Sequence, residues 1–316
     1  MKRALLAALL SFCSTVALAQ AYPSRPVRFI IPFAPAGITD ILARMVGQHL
    51  DGVWRQSIIV DNRAGAGGNI GVQIAAKAAP DGYTVLVTTS SIAVNMSLTP
   101  NPGYDVAKDF IPVINAASSP NMIIAHESGA RSLKELIEGA RKEGLIYGSA
   151  GTGTTPHLTA EYLFKNLAGL KTTHVPYKGA APAVNAALAN EVPAVSVAMP
   201  TAVAGVKAGK LRGLAVTSRK RVAALPAVPT VEETGFPGFE DLTWVGFFVP
   251  AGTPAPVVAK INTDVNGFLA LPESRERLAA LGFEPVGGTP EAFAAYLKSE
   301  VAKWAKVVKE TGAKVE

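Results

Sequence analysis

The sequence has very little cysteine: Cys13 is the single one among 316 residues. It lies in an N-terminal segment that we predict to be removed, so the mature chain would have no disulfide, no thiolate metal site and no cysteine nucleophile. Lipoprotein processing at Cys13 is disfavoured, because the bulky Phe12 precedes it where that processing needs a small residue. Functions that depend on thiol chemistry are therefore excluded.

Charge is also scarce, at 17% of residues, whereas hydrophobic residues make up 49%. This composition is typical of a globular protein and not of a disordered one, and 316 residues are enough for about two domains. Without Lys2 and Arg3 the basic residues fall from 30 to 28, against 24 acidic residues. No basic tract carries interleaved aromatic residues, so the sequence argues against nucleic-acid binding.

The hydrophobic run at the N-terminus is too short for a membrane span. Residues 1–3 carry two basic side chains, residues 4–12 are apolar, and small residues surround Ala19 and Ala21. A membrane-spanning helix needs roughly 20 apolar residues, and serine and threonine interrupt this run earlier. The pattern predicts a signal peptide over residues 1–21, with cleavage near Ala19 or Ala21, and hence a periplasmic protein.

Motifs for cofactors, metals and nucleophilic catalysis are missing. The glycine-rich stretch 65–71 departs from the dinucleotide fingerprint, because Ile70 stands where the third glycine is needed. Tyr147 stands where a nucleophile elbow centred on Ser149 needs glycine. The histidines show no metal-ligand spacing, so we expect no metal, no cofactor and no enzyme. A secreted hydrolase that uses His157 as its base is the alternative.

What the sequence does contain is a regular alternation of strand-like and helix-like segments. This alternation predicts an α/β fold with mostly parallel sheets flanked by helices. The predicted strands span residues 27–33, 57–61, 83–89, 111–117, 122–125, 145–149, 173–175, 194–198, 211–217 and 243–249. The predicted helices span residues 41–50, 70–79, 133–142, 158–168, 180–189, 201–207, 256–269 and 290–308. The proline-rich connection at 225–229 predicts a first domain of residues 22–121 and 226–316 and a second domain of residues 122–225.

Two loops in this alternation are built alike. Residues 33–40 and residues 149–157 each join a predicted strand to a predicted helix through glycine and threonine. Free backbone N–H groups at a helix N-terminus favour an anion, so two such loops on facing domains predict a clamp for a small negatively charged molecule. An ordinary capped turn for the first loop and a flexible glycine–threonine turn for the second are the alternatives.

Motifs over nearly the whole mature chain resemble those of one family. They are YPSRPV at 22–27, PFAPAG at 32–37, NRAGAGGNIG at 62–71, APDGYT at 79–84, SAGTGT at 149–154 and HVPYKG at 174–179. In these motifs the chain is similar to the Bug-type periplasmic solute-binding receptors of tripartite tricarboxylate transporters. Two positions depart from the family pattern: Ala36 stands where a second glycine is usual, and Ile38 where a small residue or proline is common.

The resemblance implies a two-domain Venus-flytrap receptor that closes over a small organic mono- or dicarboxylate, held by main-chain amides and hydroxyls. Residues 198–201 offer no acidic group for an amine, which disfavours amino-acid ligands. The implied partners are the membrane components of the transporter, or a sensor kinase if the receptor signals instead, and a monomer is expected. The implied ligand-binding residues are Phe33, Ala36, Gly37, Thr39, Asn69, Ser90, Ser149, Ala150, Gly151, Thr154, His157, Tyr177 and Thr201.

Overall fold

The computed structural model describes residues 22–314. The predicted signal peptide, with Cys13 and both candidate cleavage sites, lies outside the described residues. Within residues 22–314, no helix is both long and apolar enough to cross a membrane. These residues form an α/β molecule with two lobes, built on one continuous mixed sheet.

The sheet combines parallel strands at its two ends with long antiparallel strands at its centre. The strands are β1 (Val27–Ile31), β2 (Ile58–Asn62), β3 (Thr84–Thr89), β4 (Phe110–His126), β5 (Leu145–Ser149), β6 (Thr172–Pro176), β7 (Ala194–Ala198), β8 (Leu211–Val216), β9 (Leu242–Pro250) and β10 (Glu284–Pro285). Their order is β2-β1-β3-β9-β4-β7-β5-β6, and β8 and β10 also pair with β4. The groups β2-β1-β3 and β6-β5-β7 are parallel, whereas β4 and β9 pair antiparallel with their neighbours.

Helices connect and cover these strands. They are α1 (Ile38–Trp54), α2 (Asn69–Ala76), α3 (Ser91–Leu98), α4 (Leu133–Ala140), α5 (Thr155–Glu161), α6 (Ala180–Leu188), α7 (Val203–Lys207), α8 (Ala255–Ala270), α9 (Pro272–Ala280) and α10 (Pro290–Thr311). A π-helical turn over Tyr162–Leu167 continues α5. Each βα connection leaves the carboxyl end of a strand, where ligands bind in folds of this class.

We call the part built on β1, β2, β3, β9 and α8–α10 the first lobe, and the part built on β5–β8 the second lobe. Strand β4 runs through both lobes. In the first lobe α1 packs on one face of the sheet, where Leu42 and Val46 lie in one apolar cluster with Ile261 of α8. On the opposite face Trp244 of β9 packs in a cluster with Phe293 of α10. Helices thus cover both faces of the sheet in this lobe, which explains the nearly continuous apolar runs of its strands.

The two-domain α/β fold is confirmed, but several predicted elements were wrong in detail. The strands predicted at 111–117 and 122–125 form one strand, β4. Its two prolines, Pro112 and Pro120, do not interrupt it. The ladder between β4 and β9 shifts register between Pro112 and Ile114, and Pro120 lies opposite Leu242. Bulges and strand ends are where a sheet tolerates proline. The helices α3 and α9 and the short strand β10 were not predicted.

The domain boundaries remain a proposal. Residues 226–239 were predicted to belong to the first domain. In the structure Val228 lies in an apolar cluster with Met122 and Val197, and Phe239 lies in one with Ile123. These partners belong to β7 and to the second-lobe half of β4, so the packing favours a return crossing between Phe239 and the start of β9.

Candidate functional site

Four helix N-termini converge on the space between the lobes. Helices α1 and α3 follow β1 and β3 of the first lobe, and α5 and α6 follow β5 and β6 of the second. The space holds a cavity of about 20 Å³, which we call the inner cavity. It is lined by Phe33, Ile38, Thr39, Thr89, Ala150, Thr154, Pro156, Ala180, Ala198 and Thr243. The positive ends of the helix dipoles therefore surround one small volume.

The first loop is held in place by an aspartate behind it. Asp40 Oδ2 accepts hydrogen bonds from the Ala36 N–H and from Arg44 Nε, each at 2.9 Å. Burial acts to raise the pKa of Asp40, but the bonds from Arg44 and Ala36 outweigh burial and lower that pKa. The charge of Asp40 is thus matched by Arg44 and leaves the N-terminal amides of α1 available.

Thr39 contributes a buried hydroxyl that has no partner. Its side chain is fully buried and lines the inner cavity, and Thr39 Oγ1 makes no hydrogen bond within residues 22–314. A buried hydroxyl without a partner costs stability, about 1–3 kcal/mol in mutational data. Such a group beside a cavity is expected where a ligand supplies the missing hydrogen bond.

The second loop satisfies most of its own side chains. The Thr154 hydroxyl donates to the Gly151 carbonyl at 2.7 Å, and the Gly151 N–H donates to Ser149 Oγ at 3.2 Å. Ser149 Oγ also lies 2.7 Å from Nε2 of His174. The Gly153 N–H donates to Nδ1 of His157 at 3.3 Å. The hydroxyls of Ser149 and Thr154 are therefore engaged by the loop backbone and by His174.

The contact between Ser149 and His174 has the atoms of a nucleophile and a base, but its environment does not suit catalysis. Ser149 has no exposed surface. Burial, together with the neighbouring His157, lowers the pKa of His174 to about 3, which makes it a weak base near neutral pH. Burial also lowers the pKa of His157 to about 4. These observations count against the hydrolase alternative.

A second cavity opens beside the inner one. It measures about 370 Å³, and we call it the outer cavity. Phe33 and Ala150 line both cavities. The other outer-cavity residues are Gly65, Ala66, Gly67, Gly68, Asn69, Asn95, Thr99, Gly151, Thr152, Pro176, Tyr177 and Lys178. Lys178 is the single formally charged side chain among the residues that line the two cavities.

The structure brings about half of the predicted site residues to these cavities. Those that line one or both are Phe33, Thr39, Asn69, Ala150, Gly151, Thr154 and Tyr177. Those that line neither are Ala36, Gly37, Ser90, Ser149, His157 and Thr201. His157 instead lines a separate cavity of about 510 Å³ with His174 and Glu161. A binding role for any of these residues remains a prediction.

Several inner-cavity residues were not anticipated. Thr89 precedes α3, which was not predicted as a helix, so its position at a helix N-terminus was missed. Ala180 is the first residue of α6 and follows Gly179, a signal that could have identified it. Thr243 lies near the start of β9 opposite Ser119 of β4, a pairing that the sequence pattern did not reveal. Among residues 22–314, no group of three or more His, Cys, Asp or Glu is placed to hold a metal ion.

Comparison with known proteins identifies the family. The profile described as "Tripartite tricarboxylate transporter family receptor" matches residues 42–313. The chain belongs to this receptor family. Among its relatives is the protein BugT of Bordetella pertussis, which is 37% identical over 303 residues that cover 94% of this chain and 93% of BugT.

Solved structures of related receptors share the fold. The periplasmic binding protein BugD superposes with a TM-score of 0.89 at 36% identity, over 93% of this chain and 100% of BugD. A protein of R. palustris solved with adipate gives a TM-score of 0.89 at 38% identity, over 93% of this chain and 100% of that chain. MatC from Rhodopseudomonas palustris, solved with bound malate, gives 0.86 at 31% identity, over 91% of this chain and 100% of that chain.

Proposed function

We propose that this receptor binds a small organic carboxylate between its lobes and delivers it to the membrane components of a tripartite tricarboxylate transporter. The observation that carries the proposal is the inner cavity, where helix N-termini meet beside the unpartnered Thr39 hydroxyl. Relatives solved with adipate and with malate support a carboxylate as the ligand. The periplasmic description of BugD supports a periplasmic location after removal of the signal peptide.

Neutral donors are sufficient to hold a carboxylate in this position. Hydrogen bonds to an ionised acceptor are about twice as strong as those between neutral groups. Phe33 and Ile38 line the inner cavity and are almost fully buried, so part of its wall is apolar. Electrostatic attraction between the helix N-termini and a carboxylate increases as water is excluded. This mode of binding needs no arginine, and no arginine lines either cavity.

The outer cavity would accommodate the rest of the ligand. Its neutral amides and hydroxyls suit a polar chain, and the ammonium group of Lys178 suits a second negative charge. No Asp or Glu lines either cavity, so nothing there would neutralise an amine. A mono- or dicarboxylate therefore fits better than a cationic ligand. A receptor that reports to a sensor kinase would use the same contacts, and the described residues give no reason to prefer that partner.

The sharpest test removes the Thr39 hydroxyl. We expect Thr39→Val to weaken carboxylate binding at least tenfold, which is about 1.4 kcal/mol, because a hydrogen bond to a charged group is lost. The same change should leave thermal stability equal or higher, because an unpartnered buried hydroxyl is removed. Calorimetry with a panel of mono- and dicarboxylates that includes malate and adipate measures the affinity.

Thr88→Val is the matched control. Thr88 is equally buried and its hydroxyl also has no partner within residues 22–314, but Thr88 lines neither cavity. Its variant should bind like the wild type. Equal affinity of Thr39→Val and wild type would contradict this site. A wild-type protein that binds no member of the panel would contradict the proposed function itself.

A further inference from the structure

We infer that His174 is a positioning residue, which acts through Ser149 to fix the main chain of the second loop at the cleft. The inference rests on the proposed function, since the loop matters only if the cleft binds a ligand. His174 does not line the inner or the outer cavity. It therefore has to act through another residue, and the hydrogen bonds of the loop show which one.

The register of the parallel strands brings the two side chains together. In the ladder between β5 and β6, Tyr147 lies opposite His174 and Ser149 lies opposite Pro176. Ser149 is the last residue of β5, so its side chain stands where the loop begins. From there Ser149 Oγ reaches Nε2 of His174 at 2.7 Å and accepts the Gly151 N–H at 3.2 Å. One hydroxyl thus links the imidazole to the backbone of the loop.

Gly151 is the residue that this link holds. Its φ of 134° lies in the left-handed region, and a methyl group built on it would lie 3.0 Å from the Tyr177 carbonyl oxygen. Ser149 binds its N–H, and the Thr154 hydroxyl binds its carbonyl at 2.7 Å. Both sides of this glycine are therefore fixed by hydroxyl groups. Gly151 itself lines the outer cavity, so a change in its conformation changes the cleft.

The imidazole is neutral in this arrangement, and its tautomer sets whether Nε2 or the Ser149 hydroxyl donates. The ring of His174 stacks on His157 with centroids 4.0 Å apart, and on Tyr147 at 5.1 Å. Two stacked, buried cations would repel each other, which disfavours a charged pair of rings. The nearby Glu161 is already bound by the Tyr147 phenol and by Lys165, so its charge is shared with other partners. With Nε2 unprotonated, the Ser149 hydroxyl donates to it and leaves its oxygen free to accept the Gly151 N–H.

The experiment compares variants that keep or remove the acceptor nitrogen. His174→Phe retains an aromatic ring for the stack but cannot accept a hydrogen bond, and we expect it to weaken malate or adipate binding about fivefold or more. His174→Gln keeps an acceptor at a similar reach and should recover most of the affinity. Ser149→Ala should weaken binding as much as His174→Phe. The double variant should bind no more weakly than either single one, because both changes break one link.

His126→Phe is the matched control. His126 also contacts a serine, with Nδ1 2.8 Å from Ser128 Oγ, but it lies at the end of β4 and lines neither cavity. Its variant should bind like the wild type. A purely structural role for His174 would lower the melting temperature without the recovery by glutamine, so affinity and melting temperature are measured on every variant.

Three results would overturn the inference. They are wild-type affinity in folded His174→Phe, additive losses in the double variant, and no recovery by His174→Gln. If His174→Phe does not fold, Ser149→Ala and His174→Gln decide: the inference requires that the first weakens binding and the second does not. A wild-type protein without carboxylate affinity would refute the proposed function first, which keeps the two failures distinguishable.

Discussion

A single residue in the first loop explains one departure from the family pattern. Ala36 has a φ of 61°, in the left-handed region where L-residues other than glycine are strained by roughly 1–2 kcal/mol. The family pattern that the chain resembles usually has a second glycine at this position, and glycine adopts a positive φ without this strain. The Asp40 carboxylate compensates here, because it binds the Ala36 N–H and holds the turn. The strained residue therefore lies directly before the helix N-terminus that borders the inner cavity.

Two buried imidazoles predict a loss of stability in acid. The pKa of His157 is lowered to about 4 and that of His174 to about 3, against 6.5 for the free side chain. Below about pH 6.5 the unfolded chain binds protons that the folded chain does not, so the free energy of unfolding should fall as pH drops toward about 4. Each ring contributes at most about 1.4 kcal/mol per pH unit. Urea unfolding at neutral and at mildly acidic pH measures this loss.

The pKa of Asp241 changes the pH dependence of stability in the opposite direction, so the measurement needs a variant that separates the two effects. Burial raises the pKa of Asp241 to about 6, so its contribution to stability is lost as pH rises through about 6 and is regained in acid. This gain of stability in acid partly offsets the loss that the two histidines cause. His174→Phe removes one of the opposing rings and leaves Asp241 in place, so it should lose clearly less stability on acidification. An unchanged pH dependence in this variant would contradict the assignment of a neutral, buried His174.

Sequence alone could locate the site loops but not the orientation of their side chains. Glycine and threonine after a strand predict a turn with free amides, and Thr39 and Thr154 do line the inner cavity. The same composition cannot tell whether a hydroxyl points to a ligand or back to its own loop. Ser149 and His157 were assigned to the cleft, yet both accept hydrogen bonds from backbone N–H groups of the loop instead. That distinction depends on the register of β5 and β6, which is a tertiary property.

At the scale of elements, α10 is tied to the sheet by a buried carboxylate. Glu300 Oε2 accepts hydrogen bonds from Trp244 Nε1 at 2.9 Å and from Trp304 Nε1 at 3.0 Å. Lys303 lies 3.5 Å from the other carboxylate oxygen. Glu300 is only 4% exposed, so its carboxylate needs protein donors such as these three. Removing the carboxylate would leave two buried indole N–H groups without a partner.

Truncation of this side chain should therefore destabilise the fold. We expect Glu300→Ala to lower the free energy of unfolding by about 2–4 kcal/mol, because buried donors and a lysine lose their partner. Glu310→Ala is the control on the same helix, since the pair of Glu310 with Lys306 is exposed and such pairs contribute about 1 kcal/mol or less. Urea unfolding compares the two. Similar losses in both variants would show that the indole contacts do not anchor α10.

Predicted elements were accurate where their periodicity was clear. Helix α1 shows an apolar stripe with a polar face, and its prediction fell inside the observed bounds. Helix α3 was missed because it is buried on nearly all sides and has no polar face to create a helical period. Helix α9 was missed for the opposite reason: only Ser274 and Leu278 are buried in it. Both helices lack the contrast between an apolar and a polar face that creates a helical period in the sequence.

At the scale of the whole molecule, the lobes are joined by polar contacts around the crossing strands. Asn121 of β4 donates to the Asp241 carboxylate at 3.0 Å, and Thr159 of α5 donates to the same oxygen. Thr243 of β9 donates to Asn121 Oδ1 at 2.7 Å. The sequence resemblance implied two lobes, but the strand pairing needed to place this polar cluster is long-range.

Main-chain contacts join the lobes on the cleft side. The Ala34 N–H of the first lobe donates to the Lys178 carbonyl of the second at 3.1 Å. A methyl group built on Gly179 would lie 2.9 Å from the Ala34 nitrogen, and one built on Gly67 would overlap the Thr152 carbonyl oxygen. The lobes therefore meet where neither side has room for a side chain. This contact surface would be present only while the cleft is closed.

Gly67→Ala should consequently prevent full closure of the lobes. Gly67 has a φ of 62°, and Gly209 has a nearly equal φ of 69° with open space around it, so Gly209→Ala carries the same backbone strain without a contact across the cleft. We expect Gly67→Ala to bind malate or adipate at least tenfold more weakly than Gly209→Ala, at similar melting temperatures. Small-angle scattering at saturating ligand should then show contraction for the wild type and Gly209→Ala but not for Gly67→Ala. Equal contraction of all three proteins would contradict the role of this contact, because a closed cleft has no space for the added methyl group.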